Sequence, residues 1–564
     1  MRYTEQIIGK YFSPAPLRLA WERMVRSNGK DVKDFFGIEI FGSNLDKNLE
    51  RLSEAVINGE FKPQRPFKYY EPKASKTHRT KSILSIEDAL VYQAIADRVA
   101  TANYKKLSDN NRFVFGSVLH PEVEKGLDLL QDPNAEFYFF KYYIPLYNQF
   151  INSVNTEIEN TNIRFKLETD ITGFFDSIPH SKLLMTLRKF GVEPEILDLL
   201  NDCLNVYSGT KESITPGVGI PQGPAASFFF ANVFLNDLDY LITQSGYTYF
   251  RYMDDIRIYE ETEEKLIEAL VVIDNYFKGR ALSLNTKKTS IEEIGIDRES
   301  EKFPLLAGYE NVFEEYWRNN VDDEKQKLRY LTDQNSDNEQ EKNYVIRTIE
   351  GEELINYCKK EIADVENFLF AKFKDMESEH FNSRIIANDE ELKSKMVNQA
   401  YKWRNSNTIL KTIDKPILNE ALIPIWLFCV EHFFWKANHF CWNLNQYGTN
   451  MFIATRLNEL LTKFKSFEWV RYQILSNTAT VQNFNPSELK EIFRKSKDEP
   501  SALVRLGYYM ILLKHLNAKH QLFASLRQAI KDDREPYIRS RLSFFLAQVS
   551  DDEKLEDIKF WFGL

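Results

Sequence analysis

Cysteine is scarce in this chain: Cys203, Cys358, Cys429 and Cys441 are the four present among 564 residues, and no two form a CxxC pair. That count excludes a disulfide framework and suits a reducing compartment. Long apolar runs are missing too. None approaches the ~18 residues needed to span a bilayer, so no membrane segment is expected. The opening residues MRYTEQIIGKYFSPAP lack the basic–apolar–small order of a secretory signal, and a cytoplasmic location is expected. Net positive charge is also lacking. The formal charge is −10, which argues against a broad basic groove for long nucleic acids. Charge distribution qualifies this, because residues 62–81, KPQRPFKYYEPKASKTHRTK, hold seven Lys/Arg against one acid. The protein reads as acidic with one basic stripe.

Apolar residues are plentiful, at 43% hydrophobic with 14% aromatic, so packed cores are expected and general disorder is excluded. A chain of this length divides into roughly two to four domains. In the first ~310 residues, strand-like runs such as FKLETDITGFFDSI (165–178) and TYFRYMDDIRIYE (248–260) alternate with helical patterns. Beyond about 320 nearly everything has helical spacing. Near the C-terminus EPSALVRLGYYMI, from 499, and EPYIRSRLSFFLA, from 535, repeat with a period of 36. Arg505 then corresponds to Arg541, and Arg471 in FEWVRYQIL forms a weaker third copy. A period in the thirties with paired helices predicts a HEAT-like solenoid. Three segments follow: an N-terminal helical extension at 1–60, an α+β region at 61–315, and an all-α region at 316–564.

Two features invite chemistry. CVEHFFWKANHFCW places Cys429, His432, His439 and Cys441 close together, but the aromatic setting suits a core better than a zinc site, and the spacing fits no common pattern. The second feature is YMDD at 252–255. Adjacent aspartates in an apolar strand repel each other and lose hydration. A solvated turn is the bland explanation, but the strand-forming flanks oppose it. Asp170, closing the KLETD strand, is a third carboxylate at a strand end. Asp170, Asp254 and Asp255 could converge on Mg²⁺, which favours carboxylates combined with substrate phosphates. Two such ions about 3.5–4 Å apart activate a hydroxyl and stabilise a leaving pyrophosphate.

DITGFFD (170–176), GIPQGPAAS (219–227), YMDD and LSLNTKKT (282–289) occur in that order, and the order resembles palm motifs A to D of reverse transcriptases. The resemblance covers about 60–310. It implies a right-hand α+β polymerase of fingers and palm, followed by the all-α, HEAT-like repeat region. Asp170, Asp254 and Asp255 would hold two Mg²⁺ or Mn²⁺ ions, with the Ile171 carbonyl a further ligand. Phe175 would be the steric gate selecting dNTPs, while Gln222 and Gly223 line the nucleotide. Lys288 would protonate pyrophosphate, and Tyr252 and Met253 would flank the primer terminus. In the fingers-like YYEPKASKTHRTKSILSIEDALVYQAI, Lys73 and Arg79 would grip the triphosphate, followed by a helix carrying Asp88, Leu90, Val91 and Gln93. NRFVFGS (111–117) is similar to the segment preceding motif A, and LLAGYE (305–310) partly resembles the primer grip.

No RNase H-like, HNH-like or basic maturase pattern follows, nor an R-x4–6-H pair after 320. A palm followed by about 250 helical residues looks like the AbiK-like abortive-infection reverse transcriptases of prokaryotic phage defence. That branch implies a homo-oligomer and protein-primed, untemplated DNA synthesis, with DNA covalently attached to a tyrosine. Copying of a bound noncoding RNA is the alternative, and a catalytically dispensable sensing scaffold a second. Tyr472, Tyr508, Tyr509 and Tyr537 lie beside Leu and Phe at helical spacing, as core tyrosines do. Tyr447, in the polar stretch NLNQYGTN, is the expected exposed candidate for priming.

Overall fold

A computed structural model describes residues 2–26, 34–141, 143–160, 162–294, 351–373, 390–516 and 520–548. LLAGYE and the 315/316 boundary lie outside them. The chain divides into two compact units, Met1–Lys68 with Lys81–Glu339, and Tyr69–Thr80 with Gln340–Leu564.

The first unit is organised around the helix Ile86–Ala102. Its N-cap Ser85 accepts a hydrogen bond from the Asp88 amide, satisfying one otherwise orphaned donor. Leu90, Val91, Ala94 and Ile95 on it are fully or almost fully buried. A helix buried on nearly every face must be central, and this one is packed from both sides. The N-terminal helices Arg2–Phe12, Pro14–Arg26 and Leu45–Ile57 deliver Phe12, Leu17, Trp21 and Leu49 into the core that also holds Leu167, Phe174 and Ile256. The described helices within residues 1–60 thus pack against the core of the α+β region. Arg23 is wholly buried against Asp97, 2.7 Å away, and Gln93 also donates to that carboxylate.

Six strands are present among the described residues. β1 (Phe67–Pro72) and β2 (His78–Ile83) form a two-stranded sheet. β3 (Phe165–Thr169), β4 (Thr248–Tyr252), β5 (Asp255–Glu260) and β6 (Ser290–Glu293) form an antiparallel sheet in the order β4-β5-β3-β6. β3 is central, and its Leu167 faces Ile258 of β5 and Ile291 of β6. The helices Ala225–Gln244 and Glu263–Lys278 supply apolar residues to the same core.

In the second unit three helices start at Glu468, Ala502 and Pro536, 34 residues apart each time. They are preceded by the partner helices Met451–Lys463, Pro486–Asp498 and Gln521–Lys531. The expected period of 36 is thus corrected to 34. Its Glu-Pro markers mislead because Pro500 precedes its helix by two residues, whereas Pro536 opens its own. The equivalent of Arg505 is Arg539, not Arg541. Buried ion pairs recur with the same period: Arg471 with Glu499 at 2.5 Å and Arg505 with Asp533 at 2.7 Å. No described helix is long and apolar enough to cross a membrane.

Candidate active site

β3 ends at Thr169, opposite Ile256 of β5, so the next residue, Asp170, lies level with the start of β5. There β4 and β5 join through a tight turn in which Tyr252 pairs with Asp255, leaving Met253 and Asp254 at its tip. The pleat and the register bring the Asp170 and Asp254 side chains together as hydrogen-bonding neighbours. Burial first, then the Asp170 carboxylate, pushes the Asp254 carboxyl up to about 7, with Lys288 pulling the other way. Two carboxylates so close share a proton unless a cation neutralises them. Lys288 supplies part of that charge, its Nζ 2.7 Å from Asp170 Oδ2. Asn285 ties the same loop to Asp170 through its backbone N–H, 2.7 Å from the Asp170 carbonyl.

Asp255 stands differently. Its side chain is 47% exposed and its carboxylate lies 3.5 Å from Arg257 Nε. Burial raises its carboxyl and Arg257 opposes this. Among the described residues no three His, Cys, Asp or Glu side chains gather as a metal site. Asp170 and Asp254 are the pair in direct side-chain contact, and Asp255, whose carboxyl also feels the Asp170 charge, lies beside Arg257. The pair still fits a divalent cation. Mg²⁺ takes one or two carboxylates plus phosphate oxygens, and the buried Asp254 carboxyl, raised by burial and by Asp170 beside it, marks a site short of positive charge. Ile171 adds a carbonyl oxygen. It faces Leu284 in a bridge whose hydrogen bonds fall on Thr172 N–H and Asp170 C=O.

The segments around Phe175 and Gly219 are bolted together. The Ile220 N–H donates to the Phe175 carbonyl and the Gly219 N–H to the Ile178 carbonyl. Gly219 has φ +89°, and a Cβ there would lie 3.1 Å from the Asp176 carbonyl oxygen; only glycine suits that conformation and approach. His180 completes the joint, its Nε2 2.6 Å from the Gly219 carbonyl. Phe175 is 9% exposed, with T-shaped ring contacts to Phe174 and Phe228. The Gln222 carbonyl accepts from the Ser82 N–H. Gly223 has φ 150° immediately before the helix Ala225–Gln244. Tyr252 packs on Tyr147 and Phe150, and burial pushes its phenol up to about 12.

Lys73 and Arg79 belong to the second unit. The Lys73 N–H donates to the Thr77 carbonyl across a tight turn, and Arg79 lies 4.0 Å from Glu71. Their hairpin is held by a Tyr70 N–H donating to Glu468 and by His78 against the Phe467 ring. Tyr447 is not the exposed tyrosine expected. Its ring stacks on Trp403 and its hydroxyl donates to the Asn419 carbonyl, while burial raises its pKa, which disfavours a nucleophilic phenolate. Cys429 and Cys441 are fully buried, their thiols raised by burial, and His432 stacks on Phe428. These are core contacts.

Sequence reading missed the network behind the turn. Arg251, 1% exposed, donates through Nε and Nη2 to the two oxygens of Asp239 and through Nη1 to Asn232 and to the Met253 carbonyl. Asn232 donates to the Gly116 and Ser117 carbonyls. The available signal was an arginine on the inward face of an aromatic strand, with Asn232 and Asp239 seven residues apart on one face of an otherwise apolar helix.

Residues 72–332 match the reverse transcriptase (RNA-dependent DNA polymerase) family model; a domain of that family is a nucleotidyltransferase. The retron Ec86 reverse transcriptase of Escherichia coli is 25% identical over 180 residues, 28% of this chain. The chain spans about half, 53%, of that relative's length. Among solved structures, telomerase of Candida tropicalis with a telomeric RNA fragment overlaps 68% of this chain and 68% of its own, at 10% identity and TM-score 0.32. The Candida albicans telomerase overlaps 73% of this chain and 64% of its own, at 10% identity and TM-score 0.30.

Proposed function

We propose that this reverse transcriptase domain makes DNA from dNTPs in prokaryotic phage defence, by protein-primed and untemplated synthesis. The observation that carries the polymerase chemistry is the meeting of Asp170 and Asp254 at the joined ends of β3 and the β4–β5 turn, inside the matched family region. Asp170, Asp254, Asp255 and the Ile171 carbonyl would hold the divalent cation. When bound, that cation would lower the pKa of an attacking hydroxyl and neutralise charge on the phosphates.

The chain's own groups do the rest. Lys288, drawn to Asp170 without substrate, would turn to the departing pyrophosphate and give it a proton. Phe175 would place its ring beneath the sugar and exclude a 2′-hydroxyl. Gln222 and Gly223 would border the base, and Tyr252 and Met253 the primer end. Lys73 and Arg79 would bind the triphosphate as charge partners. The 34-residue helix pairs support a HEAT-like solenoid, here taken as the surface of a homo-oligomer.

Incubating purified protein with each labelled dNTP and Mg²⁺, without template or primer, is the test. A labelled protein–DNA adduct supports the reading, and mass analysis would find its tyrosine. Synthesis only after RNA is added would replace it with copying of a bound RNA. No synthesis under either condition would leave the scaffold reading.

A further inference from the structure

We infer that Arg251 is the positioning residue of the catalytic turn, fixing Asp254 against Asp170 by holding the Met253 backbone; this rests on the polymerase reading above. Met253 has φ 56°, a left-handed conformation that a side chain-bearing residue adopts only when its surroundings enforce it. Three contacts enforce it here. The Arg251 Nη1 donates to the Met253 carbonyl at 2.9 Å and to Asn232 Oδ1 at 2.8 Å. Asn232 in turn donates to Gly116, whose segment runs beside β4 through the Phe115 N–H to Arg251 carbonyl bond and the Arg251 N–H to Phe113 carbonyl bond. Gly116 must be bare, since a Cβ would lie 2.5 Å from the Met253 nitrogen and 2.8 Å from its Cγ.

The guanidinium suits this task for a stated reason. Its Nε and Nη2 edge is satisfied bidentately by Asp239, at 2.8 and 2.7 Å, which also accepts from the Tyr249 hydroxyl at 2.7 Å. That ion pair is anchored in the core on the helix Ala225–Gln244, and the remaining Nη1 projects past it to the turn. A lysine is a single point charge and lacks the planar fork that serves both partners at once. A cavity of about 40 Å³ borders the group, lined in part by Asn110, Asn236, Asp239 and Arg251. Water can enter there to solvate a shortened side chain, so Arg251→Lys is expected to fold.

The experiment compares wild type, Arg251→Lys and Asn232→Ala in full-length protein. Steady-state dNTP incorporation gives kcat and KM, electron paramagnetic resonance gives Mn²⁺ affinity of the free protein, and thermal melting gives stability. Both variants should lose ten-fold or more in kcat, with KM for dNTP within two-fold of wild type. Mn²⁺ binding should weaken several-fold and melting should shift by only a few degrees. Unchanged kcat and Mn²⁺ affinity in both variants would overturn the inference. A kcat loss matched by an equal loss of folded protein would overturn it as well. If the wild type incorporates nothing, the polymerase reading fails by itself. Weakened Mn²⁺ binding in the variants then still supports the positioning of Asp254, and unchanged binding refutes it.

Discussion

Replacing Asp254 by asparagine should stabilise the metal-free protein while abolishing its chemistry. Burial and the Asp170 carboxylate hold the Asp254 carboxyl near 7, against about 3.9 in an unfolded chain. The folded protein therefore binds a proton that the unfolded chain releases between about pH 4 and pH 7. Stability falls as pH rises through that window, and the loss is complete above about 7. Three pH units at 1.36 kcal/mol each set a ceiling near 4 kcal/mol. The pair shares its charge and Asp254 keeps some contact with solvent, so about 2 kcal/mol is the working figure. Asparagine has the same size and can donate its amide to Asp170 without a titrating proton. In EDTA at pH 8, Asp254→Asn should melt about 3 °C above wild type; the gap should close by pH 4, and nucleotide incorporation should vanish. Scanning calorimetry at both pH values is the assay. An unchanged or lower midpoint at pH 8, or a wild-type pH slope persisting in the variant, would refute the reasoning.

Gly116→Ala forces a methyl to within 2.5 Å of the Met253 nitrogen, so incorporation should fall ten-fold or more at a cost of about 1–3 kcal/mol; normal kcat in this variant would count against a rigid turn. Phe175→Val should raise rNTP relative to dNTP use by about 10–100-fold in competitive incorporation. It should also cost about 1–3 kcal/mol, because the ring packs on Phe174 and Phe228. Arg505→Ala strands Asp533 and Tyr509 in the interior, and breaking a buried pair costs about 3–5 kcal/mol. Circular dichroism melting should show early loss of helical signal, and an unchanged melt would mean the inter-repeat pairs are not structural.

The features legible in sequence were those that local pattern dictates. Alternation announced β3, β4 and β5, and the order of the four motifs announced which strand ends meet. Helical spacing announced the second unit but not its period, because Glu-Pro dipeptides occupy different cap positions in successive repeats. The roles of Asp88 and Gln93 were not legible. Asp88 accepts from Ser85, Tyr207 and the Gln64 N–H, and Gln93 donates to Asp97, partners up to 119 residues away in the chain.

The turn geometry explains why local rules fail together at 251–255. A left-handed methionine, a fully buried arginine and an ionisable pair each oppose folding in isolation. Here each failure answers another. The arginine is neutralised by Asp239 and spends its spare donor on the methionine carbonyl. The methionine turn lifts Asp254 out of the strand and onto Asp170. What stays uncompensated in the bare protein is the charge between those two carboxylates, and Lys288 answers it only in part. A site whose stabilising contacts are complete except for one positive charge is organised to receive a cation, and that residual deficit is the quantity that Asp254→Asn removes.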